Sequence, residues 1–430
     1  MHSPFTTPIY LMAKPAGPAC NLACRYCYYI DKKKTLGHRS SSTMMSRQVL
    51  EAYVKSYIEA QPVDRVMFTW HGGEPLLRSR EFYEEALALQ RRYAGGRHVD
   101  NSLQTNGTLL SDEWCRFFRD NGFLIGLSID GRAAVHDRYR LTATGAPTSD
   151  SVLRAVEMLD RHGVEWNAMA VVNDVNSRDP LGFYSFFRDT LGCRYLQFAP
   201  IVERLDGSGR QLAPFEPGGE IAPYSVDPIE WGRFLNTIFD TWVCRDVGEM
   251  FVQIFDSTLA SWVGLPPGTC VFGETCGHSP VMEHNGDLYT CDHFAYPGHR
   301  LGNILDTPLI AMVMSHRLRT FGADKRDSLP SRCLNCDYLH LCHGECPKNR
   351  IIPTGEPLAE SQARSDNSSV SDPLLATPAT RQSERMLNYL CDGYHAYFAH
   401  SAPYMRVMAD LYHRGLPPSA IMDHLKHNPI

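Results

Sequence analysis

Residues 20–27 read CNLACRYC, three cysteines within eight positions. Three residues separate Cys20 from Cys24, and two separate Cys24 from Cys27. Three thiolates on one tight loop can hold three irons of a four-iron cube and leave the fourth iron without a protein ligand. An open coordination position marks a catalytic metal site, whereas a structural site is closed by the protein. The competing reading, zinc, wants a fourth protein ligand close by, and the sequence offers none before His38.

Working outward, a strand-and-helix alternation runs from about Ile9 to about Pro200. VMFTW (66–70), VDNSLQT (99–105), LIGLSI (124–129), WNAMAVV (166–172) and YLQFAP (195–200) are short, apolar and strand-like. Ser46 is placed to cap RQVLEAYVKSYIEA, whose Val49, Leu50, Tyr53, Val54, Tyr57 and Ile58 share one helical face. Ser111 caps DEWCRFFRDNG in the same way, with Gly122 as its stop, and Gly163 ends SVLRAVEMLDRHG. Repeated βα units imply a parallel sheet, open or curved into a barrel, and six units fit before residue 205. The Gly- and Pro-rich stretch 206–227 reads as a long loop, followed by helices near 228–245 and 247–263. From Pro266 to about Pro353 periodic runs give way to Cys, Gly and His, a texture that needs metal to hold it. Residues 354–382, poor in aromatics and rich in Ser, Pro and Ala, read as a flexible insertion, and a helical pattern resumes at SERMLNYLCDGYHAYFAH.

Bulk properties exclude several classes. A chain of 430 residues is too long for one ordinary core and implies a large α/β domain with a smaller module. A net charge of −6, mixed in sign, offers neither a nucleic-acid stripe nor a polybasic membrane patch, so neither partner is expected. No apolar run reaches the length that crosses a bilayer. The opening MHSPFTTPIYLMAKP lacks a basic stretch followed by a long apolar one, so a cytoplasmic location is expected. Fourteen cysteines in a reducing compartment then point to metal or redox chemistry in preference to disulfides.

MAKPAGPACNLACRYCYYIDK resembles the N-terminal signature of the radical S-adenosylmethionine (SAM) enzymes, and its MAKP and YY flanks are similar to the anaerobic sulfatase-maturating branch. The resemblance implies a partial (β/α)6 barrel and a SAM molecule whose amino and carboxylate groups chelate the open iron. One electron then cleaves its C–S bond and yields a 5′-deoxyadenosyl radical. Tyr26 sits where the family presents a residue to the adenine. In WHGGEPLL (70–77), Gly72 and Gly73 permit close backbone approach and Glu74 is the expected acceptor for the SAM ammonium. The residue before the two glycines is commonly Gln in this family; here it is His71. Ser128 resembles the SAM-binding serine, with Asp130 two residues on; Arg140 matches an arginine that meets the SAM carboxylate, and Val202 an apolar residue against SAM. The bland readings of Arg140 as a solvated surface residue and of Asn106 as a turn former stand beside these.

The remaining thiols also form a pattern. Cys270 is followed by Gly286 and Cys291, then by Cys333, Cys336, Cys342 and Cys346 at short spacings, and finally by Cys391; Cys276 is an extra within the first stretch. This is similar to the seven-cysteine SPASM domain, plus one. The resemblance implies Cys270, Cys276, Cys291 and Cys346 for one fully ligated [4Fe-4S] cluster and Cys333, Cys336, Cys342 and Cys391 for another, three clusters in all with the SAM-binding one. Zinc ribbons, which also use paired cysteines, remain an alternative on spacing alone. Cys115, Cys193 and Cys244 are expected to be plain core residues. Fully ligated clusters cannot bind SAM, so electron transfer is their expected task.

In domain terms the expectation is a radical SAM partial barrel over 1–227, a helical linker over 228–265, a SPASM domain over 266–353 plus 383–400, the insertion 354–382 and a helical tail over 401–430. Asp292, directly after Cys291, matches the aspartate expected to accept the substrate proton; His293 and His278 are expected to be structural. The resemblance implies oxidation of a Cys or Ser in a C/S-x-P/A-x-R segment of a sulfatase to Cα-formylglycine, served by a low-potential donor such as flavodoxin or ferredoxin. The rivals are another SPASM peptide maturase that makes thioether or carbon–carbon crosslinks, and a non-catalytic zinc-binding adaptor.

Overall fold

The short apolar runs become parallel strands. In the computed structural model, which describes residues 8–30, 32–36, 44–214, 216–358 and 384–427, they are β1 (Met12–Ala13), β2 (Arg65–Trp70), β3 (His98–Thr105), β4 (Phe123–Ser128), β5 (Trp166–Val172) and β6 (Tyr195–Pro200). Each pairs in parallel with the next in sequence order, as βα units demand. The helix Arg47–Ala60 buries all six residues of its apolar stripe, and Ser46 Oγ accepts from Val49 N–H. Ser111 caps the helix Asp112–Asp120 through Trp114 N–H, and Gly163 ends the helix Ser149–His162 at φ +66°. β1 is shorter than the sequence implies. Upstream of it, Ile9 N–H and Leu11 N–H donate to the Gln61 and Tyr57 side chains, so part of the ladder is replaced by side-chain acceptors from the C-terminal end of the helix Arg47–Ala60.

The expected linker is part of the barrel. The helix Pro228–Arg245 buries Trp231, Phe234, Leu235, Ile238, Phe239 and Trp242, and the strand Phe251–Val252 that follows pairs in parallel with β6. At the other edge Val281–Met282 pairs in parallel with β1 and continues antiparallel into Asp287–Tyr289 and Arg300–Asn303. One ten-stranded sheet therefore runs from the barrel into the cysteine-rich segment. The loop 206–227 holds a small hairpin, Arg204–Leu205 against Glu220–Ile221.

Two further expectations change. Arg350–Pro357 forms a strand paired with Glu384–Asn388, so residue 354 lies inside a strand, and ERMLN (384–388) is extended where its pattern reads as helical. A partner across a long insertion is invisible to local periodicity. Most of that insertion, 359–382, lies outside the described residues. The helix Cys391–His413 is continuous and crosses the boundary placed at 400. It packs along Pro228–Arg245 at Gly232 and Gly393, where a Cβ on Gly393 would stand 2.2 Å from Pro228 O. Among the described residues no helix is long and apolar enough to cross a membrane.

Candidate active site and metal centres

β1 delivers the chain into the three-cysteine loop, and the turn after β2 fastens that loop by backbone alone. Gly73 N–H donates to Gly17 O at 2.9 Å and Glu74 N–H to Ala19 O at 2.8 Å. A Cβ on Gly73 would lie 2.1 Å from Ala19 O, so only glycine fits. The freedom of this glycine is spent on the cysteine loop itself. Asn106 forms the expected turn, its Oδ1 accepting from Thr108 N–H and Oγ1–H, and its Nδ2 also reaches Asn21 Oδ1 at 3.0 Å and Cys20 Sγ at 3.8 Å. Burial raises the thiols of Cys20, Cys24 and Cys27, and the Arg140 charge pulls that of Cys24 back. A bound metal must therefore displace protons to form the thiolates.

Glu74 is fully buried and committed to this frame. Its Oε1 accepts from Leu76 N–H at 2.9 Å and Thr105 Oγ1 at 2.8 Å, and its Oε2 from Asn106 N–H at 2.9 Å. Burial nevertheless pushes its carboxyl up to about 7. Ser128, at the end of β4, accepts from Gln104 Nε2 at 3.0 Å, which leaves its hydroxyl hydrogen as a donor. Asp130, which the sequence marks only as a neighbour of Ser128, organises the next group. Its Oδ2 pairs with Arg140 Nε at 3.0 Å and accepts from the Tyr26 hydroxyl, while its Oδ1 accepts from Val171 N–H at 3.0 Å. Arg140 is buried, so the surface reading fails; burial disfavours its cation, but Asp130 more than compensates. The apolar wall beside Tyr26 and Cys24 is Ile201 with Tyr139, whereas Val202, one residue on, belongs to the main core and faces the larger cavity described below.

Asp292 lies where the barrel meets the cysteine-rich module. Lys14, fully buried at the end of β1, ion-pairs with Oδ1, and the Tyr28 hydroxyl donates to Oδ2. Burial pushes the Asp292 carboxyl up, but the Lys14 ammonium, with His71 and His293, outweighs it and holds the group well below the usual carboxylate range. Behind it the Lys14 ammonium stands 3.3 Å from the centre of the Tyr29 ring, and Tyr29 donates to the buried Glu283 at 2.5 Å. Tyr28 and His293, with ring centres 5.0 Å apart, line a cavity of about 560 Å³ that is also walled by Val202, Glu203, Lys32 and Lys348. Lys348 Nζ bonds Glu203 Oε1 at 2.9 Å and Val202 O at 2.7 Å, joining module to barrel at that wall. Sequence reasoning missed Lys14 and Tyr28, although both stand in the flanks MAKP and CYY. The available signal was a lysine closing an apolar strand at the end where α/β folds gather functional side chains.

The eight C-terminal thiols fall into two groups. Cys346 faces the charges of Cys276, Cys291 and Cys270, whereas Cys342 faces Cys333 and Cys391, and Cys391 faces Cys333 and Cys336. Burial raises the thiols of Cys270, Cys276, Cys291, Cys333, Cys342, Cys346 and Cys391, pushing Cys342 up to about 12. The link from Cys342 to Cys346 runs left-handed through His343 (φ +46°), Gly344 (φ +69°) and Glu345 (φ +50°). At about 1–2 kcal/mol for each non-glycine residue, that conformation persists only where its surroundings impose it. Of the three cysteines expected in the core, Cys115 and Cys193 are buried and Cys244 is exposed on its helix. Among the described residues no three His, Cys, Asp or Glu side chains converge on one point as a single metal ion requires. A cube of four irons, with thiolates at its outer corners, asks for a wider set, and all-cysteine groups supply the donor chemistry it takes. The residues therefore fit iron–sulfur clusters.

Comparison with known proteins agrees. Residues 15–187 match the radical SAM superfamily, and residues 276–337 match a SPASM iron–sulfur cluster-binding domain. A serine-type anaerobic sulfatase-maturating enzyme of Bacteroides thetaiotaomicron is 48% identical over 429 residues, 99% of this chain and 97% of that protein. A cysteine-type anaerobic sulfatase-maturating enzyme of Clostridium perfringens is 29% identical over 92% of this chain and 97% of that protein. The solved structure of native anSMEcpe with bound AdoMet and Cp18Cys peptide superimposes with a TM-score of 0.77 at 29% identity, covering 94% of this chain and 99% of that one. A backbone-fastened three-cysteine loop at the head of a parallel barrel, two further thiol groups and near-full-length likeness converge: this chain is a radical SAM oxidoreductase that uses SAM and iron–sulfur clusters, and it belongs to the anaerobic sulfatase-maturating enzymes.

Proposed function

We propose that the enzyme oxidises a serine of a sulfatase polypeptide, within a C/S-x-P/A-x-R segment, to Cα-formylglycine, and accepts cysteine there less readily. The serine preference rests on the 48% likeness to a serine-type relative, against 29% for a cysteine-type one. The observation that carries the chemistry is the Asp292 carboxylate, fixed by Lys14 and Tyr28 and adjoining Cys291. Bound to the cluster of Cys20, Cys24 and Cys27, SAM supplies the abstraction of one hydrogen atom from the substrate β-carbon. Tyr26, Gly72, Gly73, Ser128 and Arg140, on the frame that Glu74 holds, would line its pocket, and Arg140 has the charge to meet its carboxylate. Asp292, kept ionised, takes the proton of the substrate hydroxyl. Cys270, Cys276, Cys291 and Cys346 would hold one cluster and Cys333, Cys336, Cys342 and Cys391 a second, and together these would supply an acceptor for the remaining electron. The balance is one hydrogen atom, one proton and one electron removed for each serine oxidised.

Three clusters, a cytoplasmic location and a flavodoxin or ferredoxin as donor complete the reading. The test uses two peptides of the motif that differ only in Ser or Cys, with SAM and a reductant under anaerobic conditions. Loss of two hydrogens from the serine peptide, faster than conversion of the cysteine peptide, supports it. Release of 5′-deoxyadenosine with neither peptide altered overturns it. Asp292→Asn is expected to depress product formation about 10²–10⁴-fold, the usual worth of a positioned acid–base group, while SAM cleavage stays measurable. Equal loss of both would assign Asp292 to structure.

A further inference from the structure

Two buried cations that the reaction above does not use lie among the auxiliary thiols. Arg350, at the start of the strand Arg350–Pro357, is buried, and its guanidinium is spread over four oxygens. Nε donates to Gly344 O at 3.1 Å, Nη1 to Lys325 O at 2.6 Å and Ser328 Oγ at 3.2 Å, and Nη2 to His343 O at 3.0 Å. His343 and Gly344 belong to the left-handed link between Cys342 and Cys346, and Ser328 lies just ahead of Cys333. Lys325 is also buried, and its ammonium donates to Cys270 O at 3.0 Å and Val271 O at 2.7 Å. The pair thus grips the backbone of segments that carry ligands of both thiol groups.

Their charges face the same way. Arg350 faces Cys333 and Cys342 of one group and Cys276 and Cys346 of the other, and Lys325 faces Cys276 and Cys346. Glu345 is the buried carboxylate beside them, with Oε2 accepting from Asn349 and Asn388. Four hydrogen bonds would be enough to hold a loop; a guanidinium placed between two sets of thiolates does more. A cluster with four thiolates is an anion that gains one further negative charge on reduction, and a fixed, buried cation beside it stabilises the reduced form. An arginine cannot escape that burden by losing its proton.

Resting on the reading of two auxiliary clusters given above, we infer that Arg350, with Lys325 beside it, sets the reduction potentials of both by raising them above what the eight thiolates would give alone. An electron that enters at the Cys270 group reduces that cluster. Passing it on reoxidises that cluster and reduces the one at the Cys333 group, from which a one-electron carrier protein takes it; no bond is made or broken.

The test is a redox titration of the anaerobically loaded full-length enzyme, followed by electron paramagnetic resonance, with iron per chain counted on each sample. Arg350→Gln is expected to lower the midpoint potentials of both auxiliary clusters and leave the SAM-binding cluster where it was. Arg350→Lys keeps the charge and is expected to shift them less. Unchanged auxiliary potentials in a fully loaded Arg350→Gln protein overturn the inference. Where that variant fails to hold iron, Lys325→Gln decides: a lowered potential for the cluster of the Cys270 group supports the inference, and an unchanged one overturns it. Unmodified enzyme with iron for the N-terminal cluster alone would instead overturn the reading of two auxiliary clusters, a failure the iron count reports separately.

Discussion

The molecule places its cysteines in two different ways. The N-terminal three ride on a loop whose position is dictated by the sheet beneath it: β1 delivers it, and the turn after β2 pins it through Gly73 and Glu74 backbone bonds. The C-terminal eight sit on short helices and turns or at the ends of longer elements. Their segments are tied by buried charged side chains, Arg350, Lys325 and Glu345, and by a left-handed link that nothing local favours. A loop set by a sheet keeps its shape whether or not metal is present. Segments tied in this way draw more of their folding free energy from bound metal.

The contrast can be broken most directly by removing one thiol from each region. Cys24→Ala is expected to abolish SAM cleavage while the unfolding temperature and the auxiliary iron stay near those of the unmodified enzyme. Cys342→Ala is expected to lose auxiliary iron and lower the unfolding temperature of the C-terminal module, since it leaves a strained link without the bond that rewards it. Thermal unfolding with iron analysis on both proteins checks this. Equal destabilisation by the two substitutions would erase the distinction.

A second substitution sharpens the first half of the contrast. If backbone contact alone places the cysteine loop, one methyl group at the contact should displace it. In Gly73→Ala the new Cβ meets Ala19 O and C, backbone atoms that cannot swing aside. The expected cost is about 1–3 kcal/mol of stability from overpacking. SAM cleavage should fall on the order of 10²-fold, as follows when reacting groups shift by about 1 Å. Cleavage at the unmodified rate would show that the loop finds its place by some other means.

What was legible in the sequence follows the same division. The strands β2–β6, both serine caps and the apolar face of Arg47–Ala60 could be read because each is a local pattern whose partner is its sequence neighbour. The cysteine spacing carried the family. The Lys14 and Tyr28 contacts to Asp292 could not be read, because they join residues 278 and 264 positions apart. Nor could the pairing of Arg350–Pro357 with Glu384–Asn388 across the insertion, or the Asp130 bond to Tyr26. Glu74 shows the limit in another form: its residue type suits an ammonium ligand, but only the fold shows three chain donors already on it.

The smallest effect tests whether local signals suffice in the barrel and fail in the module. Ser111→Ala removes the one side-chain acceptor for Trp114 N–H at the start of Asp112–Asp120. It is expected to cost about 1 kcal/mol, the usual worth of a helix cap, and to leave iron content and SAM cleavage unchanged. Asn388→Ala deletes a polar group of comparable size in the module. There Nδ2 donates to the buried Glu345 carboxylate at 2.6 Å and Oδ1 accepts from Leu390 N–H at 2.8 Å, just ahead of Cys391. A buried carboxylate that loses a donor is charged the desolvation of that bond, about 1–3 kcal/mol or more, and here the strain falls on the segments carrying Cys346 and Cys391. Iron per chain should therefore fall in Asn388→Ala and hold in Ser111→Ala. If both proteins keep their iron, the module is as self-supporting as the barrel, and its buried charges serve the clusters' potentials without shaping their sites.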